Sequence, residues 1–430
     1  MTLSNRRVLY LSYNGMLDPL GQSQVIPYLK ELSRAGIRFT LLSFERDQAF
    51  TAEGVAQCSA LRQELAESEI DWHWLRYHKT PSLPATGYDV WAGTRYAGRL
   101  VRRNQIEMVH ARSHIPAAIA LRLKGRFGVK MIFDVRGLMA EEYADAGHWR
   151  KNSIPYRLTK TLEGRALAAS DGVVTLTERI WPVIKNWESL RHREVVHEVV
   201  PCCADLELFS FSQDDRTRRR AELGLKDRFV IVYSGSIDGW YLTESMADFF
   251  VTMRKQKPTA HFLWLTPTRH ERVHDLMKAR GLGISDYTVL ASAPRDVPSY
   301  LSAADAGLAF IKPCFSKQAS SPTKYAEYLG CGLPLIINQG VGDSDILITG
   351  ERTGALVSKF DDDDYAQAAA AIAGMAAEPE QTRRHTRAVA ERLFDVSRIG
   401  AERYVRLYEK VLDNRTVGKT LGSSDHVGSD

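Results

Sequence analysis

SSPTKYAEYLGCGLPLIIN, residues 320–338, joins a turn, a short helix and a buried strand in one stretch. Small and turn-forming residues lead to Pro322, a residue suited to a first helical turn, and the helix that follows carries Lys324 and Glu327. Gly330 and Gly332 end the helix, and LPLIIN reads as a strand covered on both faces. A helix start presents free backbone N–H groups and a partial positive charge, which favour a phosphate. Lys324 adds a full charge there. Glu327, three residues on, shares its face, and its carboxylate can accept two hydrogen bonds from a ribose diol. Taken alone, the segment reads equally as a capped helix with a surface Lys–Glu pair.

Outward from this segment, the second half alternates strand and helix signals. FVIVYSG (229–235) is a strand ending in glycine, and AHFLWLTP (260–267), YTVLAS (287–292) and AGLAFI (306–311) precede LPLIIN. The first half carries the same rhythm in VLYLSY (8–13), FTLLSF (39–44), MVHA (108–111), KMIFDV (130–135), GVVTLT (172–177) and EVVHEVVP (194–201). VIPYLKELSRAG (25–36) is an amphipathic helix ending in glycine. Such alternation indicates parallel sheets covered on both faces. The junction is expected near 202–228, where turn formers and charge mix. Two doubly wound units in series leave a cleft at the carboxyl ends of their strands. SRIGAERYVRLYEKVLD (397–413) sets Tyr404, Leu407, Tyr408 and Val411 on one helical face, so it docks on another element. The expected units are therefore 1–205, 206–396, a closing helix over 397–413, and a disordered tail over 414–430.

Bulk properties agree with a two-domain α/β enzyme. At 430 residues the chain exceeds what one core supports, and 44% hydrophobic with 25% charged residues is ordinary for a globular enzyme. No apolar run reaches the roughly 18 residues of a membrane span, and MTLSNRRVLYLSY lacks the apolar core of a secretory signal, so a cytoplasmic location is expected. The five cysteines have no zinc-site spacing and read as reduced thiols. A net charge of +5 with no arginine stripe gives no sign of nucleic acid as partner. Basic residues gather in RLKGRFGVK (122–130) and RKNSIPYRLTK (150–160). The second, with Ile154, Tyr156 and Leu158 among its cations, suits either an anionic membrane surface or a solvated face. Asp361–Asp364 reads as a helix start or loop rather than a metal site, and no Asp-x-Asp follows a strand, so neither a metal nor a cofactor is expected.

The Pro-x-Lys-x-x-Glu-Tyr-x-x-x-Gly-x-Pro pattern of the 320–338 segment resembles the donor-site helix of glycosyltransferase family 4, in the GT-B superfamily. The resemblance implies two Rossmann-like, doubly wound parallel-sheet domains facing a cleft, and a donor that is a nucleotide-sugar substrate. It implies that Lys324 contacts the donor diphosphate and Glu327 the ribose, with Ser321 and Thr323 beside them. RDVPSYLSAADAGLAFIKP (295–313) resembles the stretch leading to that helix, with Val297 meeting the base, and YSGSIDGWY (233–241) the glycine turn at Gly235. NGMLDPLGQSQVIPYLKEL (14–32) resembles the family's glycine-containing loop, in which Gly15 and Gly21 would let the backbone approach a phosphate or sugar. No G-x-G-x-x-G is present, which argues against a dehydrogenase.

HARSHIPAA (110–118) and DVRGLMAEEY (134–143) follow strands, so His110, Arg112, His114, Asp134 and Arg136 are acceptor-side candidates. Arg112, His114 and Lys324 are the residues expected to serve catalysis. Two departures from the family stand out: Ala319 replaces a second glutamate, and SIDGWYLTES lacks the cations that often follow the glycine turn. The resemblance implies retaining, metal-independent transfer to an acceptor hydroxyl, in which the donor phosphate takes the acceptor proton. A glycan or lipid-linked glycan of cell-surface polysaccharide synthesis, met at the inner face of the plasma membrane, is the expected acceptor. A nucleotide-sugar epimerase or hydrolase of the same architecture, and a non-catalytic nucleotide-sugar-binding scaffold, are the alternatives.

Overall fold

The computed structural model describes residues 3–413; the tail expected to be disordered, 414–430, lies outside the described residues. Seven strands form one sheet: β1 (Arg7–Ser12), β2 (Arg38–Glu45), β3 (Ile70–Arg76), β4 (Met108–Arg112), β5 (Lys130–Asp134), β6 (Gly172–Thr175) and β7 (Val196–Val199). Their order is β3-β2-β1-β4-β5-β6-β7. Six more form a second sheet: β8 (Phe229–Ser234), β9 (Ala260–Leu265), β10 (Tyr287–Leu290), β11 (Ala306–Ala309), β12 (Leu335–Asn338) and β13 (Gly354–Val357), in the order β10-β9-β8-β11-β12-β13. The pairings in both sheets are parallel. Each order reverses beside its first strand, between β1 and β4 and between β8 and β11. That switch opens a crevice at the carboxyl ends of the strands.

Apolar runs such as FVIVY and AHFLWL are buried from end to end because helices cover both faces of each sheet. The helix Glu402–Asp413 returns to the first sheet. Its Tyr404, Leu407, Tyr408 and Val411 are buried in one cluster with Val8, Phe39, Ile132 and Val174. The two passages between sheets run side by side: Ala204 N donates to Phe394 O at 2.9 Å, and Val396 N to Ala204 O at 3.1 Å.

Several elements were not evident from the sequence, among them the helices Ala52–Glu67 and Ser82–Arg103 and the three that follow. β3 (IDWHWLR) is an edge strand whose mixed Trp, His and Asp content hides the alternation, and β13 is only four residues beginning with glycine. The charged stretch at the junction forms the helix Gln213–Glu222, capped where Ser212 Oγ accepts from Asp215 N at 3.2 Å. Arg216 and Arg220 of this helix both reach Asp305 at 2.6 Å, and Asp305 also accepts from Val230 N at 2.8 Å. What reads as linker therefore fastens the start of β8 to the start of β11. The acidic run does start a helix, Asp362–Met375, with Asp361 as its cap. Of the 122–130 cluster, Lys124 and Lys130 grip Asp171, so those cations serve the fold.

Candidate active site

Pro322, in extended conformation, is the cap of the helix Thr323–Gly330, and Lys324 stands in its first turn. Its side chain is only 7% exposed, and Nζ is buried without a hydrogen-bond partner. The ammonium lies over two aromatic faces, 3.8 Å from the Tyr241 ring centroid and 4.3 Å from that of Tyr233. Burial lowers the Lys324 pKa from 10.5 to about 7, against the opposing pull of Glu327. Burial likewise lifts Glu327 to about 7, with Lys324 holding it down. Gly235, at the turn after β8, has φ +136°, and a Cβ there would sit 3.0 Å from Lys324 Nζ. Tyr328, on the same helix, receives the Ser234 N–H at 2.8 Å and so fixes that turn to the helix.

Beside Tyr241 lies a cleft of about 380 Å³ walled by both halves of the chain. Ser320, Ser321, Pro322 and Thr323 line one side; Asn14, Gln24, Arg112, Ser113, Arg136 and Gly137 line the other. Contacts across it join the domains: Ser321 Oγ accepts from Cys202 N at 3.1 Å, Thr177 Oγ1 donates to Gln318 O at 2.7 Å, and Arg179 pairs with Asp345 at 2.8 Å. Lys317 reaches Glu142 at 3.0 Å and lies 3.9 Å over the Trp240 ring. It thus brings to the glycine turn a cation that SIDGWYLTES lacks. Sequence reading missed Lys317; its one visible signal was a lysine seven residues before Lys324.

Several expected site residues stand elsewhere. His114 is fully buried; its Nε2 lies 3.0 Å from Glu163, which Lys160 also holds. It opens the helix His114–Phe127 but faces the helix Ile154–Ala169, so it does not line the cleft. His110 and Asp134 are buried behind the cleft wall as well. His110 Nδ1 pairs with the Tyr408 hydroxyl at 2.6 Å, and the Tyr404 hydroxyl donates to Asp134 Oδ2 at 3.0 Å. Strand geometry explains this: His110 and Arg112 share a face of β4, but only Arg112, one step nearer the carboxyl end, emerges from under the closing helix. Burial lowers the His110 pKa against the hydrogen bond and charge of Asp134, with smaller help from Arg136 and Arg112.

Gly21 packs against its own loop. A Cβ there would lie 2.2 Å from Gly15 O, so the loop needs glycine to pack on itself. Val297 starts the helix Val297–Ala303, with its N–H on Pro294 O and its side chain against the second core, outside the lining of the cleft. Ala319 is 1% exposed and packs in a first-domain cluster, a place where a carboxylate would be buried. The five cysteines are free thiols. Among the described residues, no group of three or more His, Cys, Asp or Glu side chains is placed to hold a metal ion, and no helix is long and apolar enough to cross a membrane.

Two parallel-sheet domains whose strand ends meet across such a cleft define the GT-B architecture. Residues 24–180 match the model of the glycosyl transferase 4-like domain, and residues 228–374 that of glycosyl transferases group 1. The chain therefore belongs to the GT-B glycosyltransferases of the family 4-like kind. It superposes on a sucrose-phosphate synthase from Thermosynechococcus elongatus with a TM-score of 0.71 and 16% identity, covering 95% of this chain and 100% of that one. HepE from Anabaena, in complex with UDP and glucose, gives 0.66 and 14%, covering 94% and 100%. A glycosyltransferase from Rickettsia africae gives 0.68 and 12%, covering 95% and 99%. At such identities the likeness is one of fold. No curated protein sequence matches the chain.

Proposed function

We propose that this protein transfers a sugar, with retention of configuration, from a nucleoside-diphosphate sugar to an acceptor hydroxyl, without a metal or cofactor. The observation that carries the reading is Lys324: a buried ammonium without a hydrogen-bond partner, at a helix start and beside the cleft. An anion reaching it would meet the charge and the helix N-terminus together. As the donor's diphosphate leaves, both would stabilise the developing charge. Glu327, one turn on, would hold the ribose. Tyr241 touches both the cleft and Lys324 Nζ, so donor entry turns its ring aside. The paired passages at Ala204 and Asp395 are a natural hinge for closure, which excludes water. The binding of UDP and glucose by HepE supports a nucleotide sugar as donor.

The acceptor in this reading is a glycan or lipid-linked glycan, met at the inner membrane face. Support comes from the helix Ile154–Ala169, where Ile154 and Leu158 are 73% and 58% exposed beside exposed Arg150, Lys151 and Arg157. A thermal-shift screen of UDP, GDP, dTDP, CDP and ADP against wild type and Glu327→Ala tests the donor assignment. One nucleotide is expected to stabilise wild type, by about 2.7 kcal/mol at one hundred times its Kd, and not the variant. Equal shifts in both proteins, or none, would remove the assignment.

A further inference from the structure

The first-domain wall of the cleft holds two guanidinium groups with one carboxylate between them. Arg112 is 6% exposed, lines the cleft, and donates from Nη1 to the neutral Asn14 Oδ1 at 3.1 Å. Its Nε is buried without a partner, and among the described residues it makes no ion pair. Arg136, also lining the cleft, donates to Gln24 Oε1 and Cys202 Sγ, each at 3.2 Å, and lies 3.7 Å from Asp134 Oδ2. Its Nε too is buried and unpartnered. Asp134 Oδ2 accepts from the Tyr404 hydroxyl, its Oδ1 is buried without a partner, and its one negative charge is shared by both arginines. The only carboxylate among the cleft-lining residues, Glu142, belongs to Lys317. Between the two arginines in the chain, Ser113 has φ 75° and ψ −176°, a region that is otherwise nearly confined to glycine. Ser113 is the cap of the helix His114–Phe127 and lines the cleft, so that helix start adds its partial positive charge to the same wall.

Two buried guanidiniums that share the single carboxylate of Asp134 leave one positive charge in excess, which is costly to a fold, and the cost is relieved when a ligand supplies the missing anion. We propose that Arg112 and Arg136 form an anion subsite, and that the acceptor carries a phosphate or carboxylate which they hold. The word acceptor rests on the glycosyltransferase reading; the anion subsite does not. Arginine suits the task, since its planar fork meets phosphate or carboxylate oxygens in pairs.

The test titrates inorganic phosphate, at constant ionic strength, into wild type, Arg112→Gln and Arg112→Lys, each with and without saturating UDP. UDP is titrated separately into all three. UDP-loaded wild type is expected to bind phosphate, Arg112→Gln to lose about tenfold or more in phosphate affinity, and Arg112→Lys to keep part of it. UDP affinity is expected to stay within about twofold in both variants. Because Arg112→Gln removes the excess positive charge and leaves Arg136 beside Asp134, its denaturation midpoint should stay close to that of wild type. Should it fail to fold, Arg136→Gln reads the same loss of phosphate. Equal phosphate affinity in wild type and Arg112→Gln would overturn the subsite. A fall in UDP affinity alongside phosphate would assign the arginines to the donor diphosphate and overturn the acceptor claim. If none of the five nucleoside diphosphates binds, the glycosyltransferase reading fails, and phosphate titration without nucleotide still decides the subsite.

Discussion

Replacing Lys324 by methionine keeps the apolar stem and removes the charge, and the free protein should become more stable for it. In the unfolded chain the lysine has its ordinary pKa of 10.5, and in the fold it titrates at about 7. Between those values the unfolded state binds more protons, so the penalty is complete below pH 7 and fades as pH rises toward 10.5. At pH 8 the gap spans about 2.5 pH units, or about 3 kcal/mol at about 1.4 kcal/mol per unit. The cation–π contacts with Tyr233 and Tyr241 count for little when the lysine is mostly neutral, but Glu327 loses the neighbour that holds its own pKa down, which offsets about 1–2 kcal/mol. A net gain of about 1–2 kcal/mol remains, which in a domain of this size raises Tm by roughly 2–8 °C. The variant should at the same time lose nucleoside-diphosphate binding. Wild type should take up about 0.9 proton per nucleotide at pH 8, because the bound diphosphate recharges a mostly neutral lysine. Calorimetry in two buffers of different ionisation enthalpy measures the uptake, and thermal unfolding at pH 8 measures the stability. A variant less stable than wild type, or nucleotide binding without proton uptake, would refute the reasoning.

Removing the aromatic cover by Tyr241→Ala should return the Lys324 pKa toward 10.5 and cut proton uptake at pH 8 toward zero; undiminished uptake would mean that Tyr241 does not control the lysine. His114→Gln should cost about 1–3 kcal/mol in urea unfolding while nucleotide affinity stays the same, since His114 serves the buried Glu163 and Lys160. Lost affinity at unchanged stability would return His114 to the active site. Tyr408→Phe should cost about 1–3 kcal/mol by leaving the buried His110 ring without its hydroxyl partner, and a neutral effect would count against that contact. In sedimentation with anionic vesicles at low salt, the double variant Ile154→Glu, Leu158→Glu should stay in solution while wild type pellets; equal pelleting would dismiss this face as the membrane contact.

The architecture was legible in the sequence because buried parallel strands are continuous apolar runs, and FVIVY, LPLIIN and KMIFDV announce themselves. Edge strands carry a weaker signal: β3 mixes polar and aromatic residues, and β13 is short. The helix Gln213–Glu222 was obscured because its charges, which suggest solvent, are spent on Asp305. In the cleft, spacing placed Lys324 and Glu327 on one helix, since three residues make nearly one turn.

What sequence by itself determined was local: where strands and helices fall, that they alternate in two series, and which helix start bears a lysine. Which way a side chain faces across a domain boundary is not a local property. His110, His114 and Arg112 lie within five residues, yet the closing helix covers the first, a neighbouring helix takes the second, and only the third reaches the cleft. Packing of residues 402–413 against β4 and β5 made the choice for His110, through partners some 270 to 298 positions away in the chain, and the helix Ile154–Ala169 made it for His114. Lys324 became a titrating group near neutrality for the same reason. Its two aromatic neighbours come from β8 and the turn after it, and only the folded sheet brings them over the helix start.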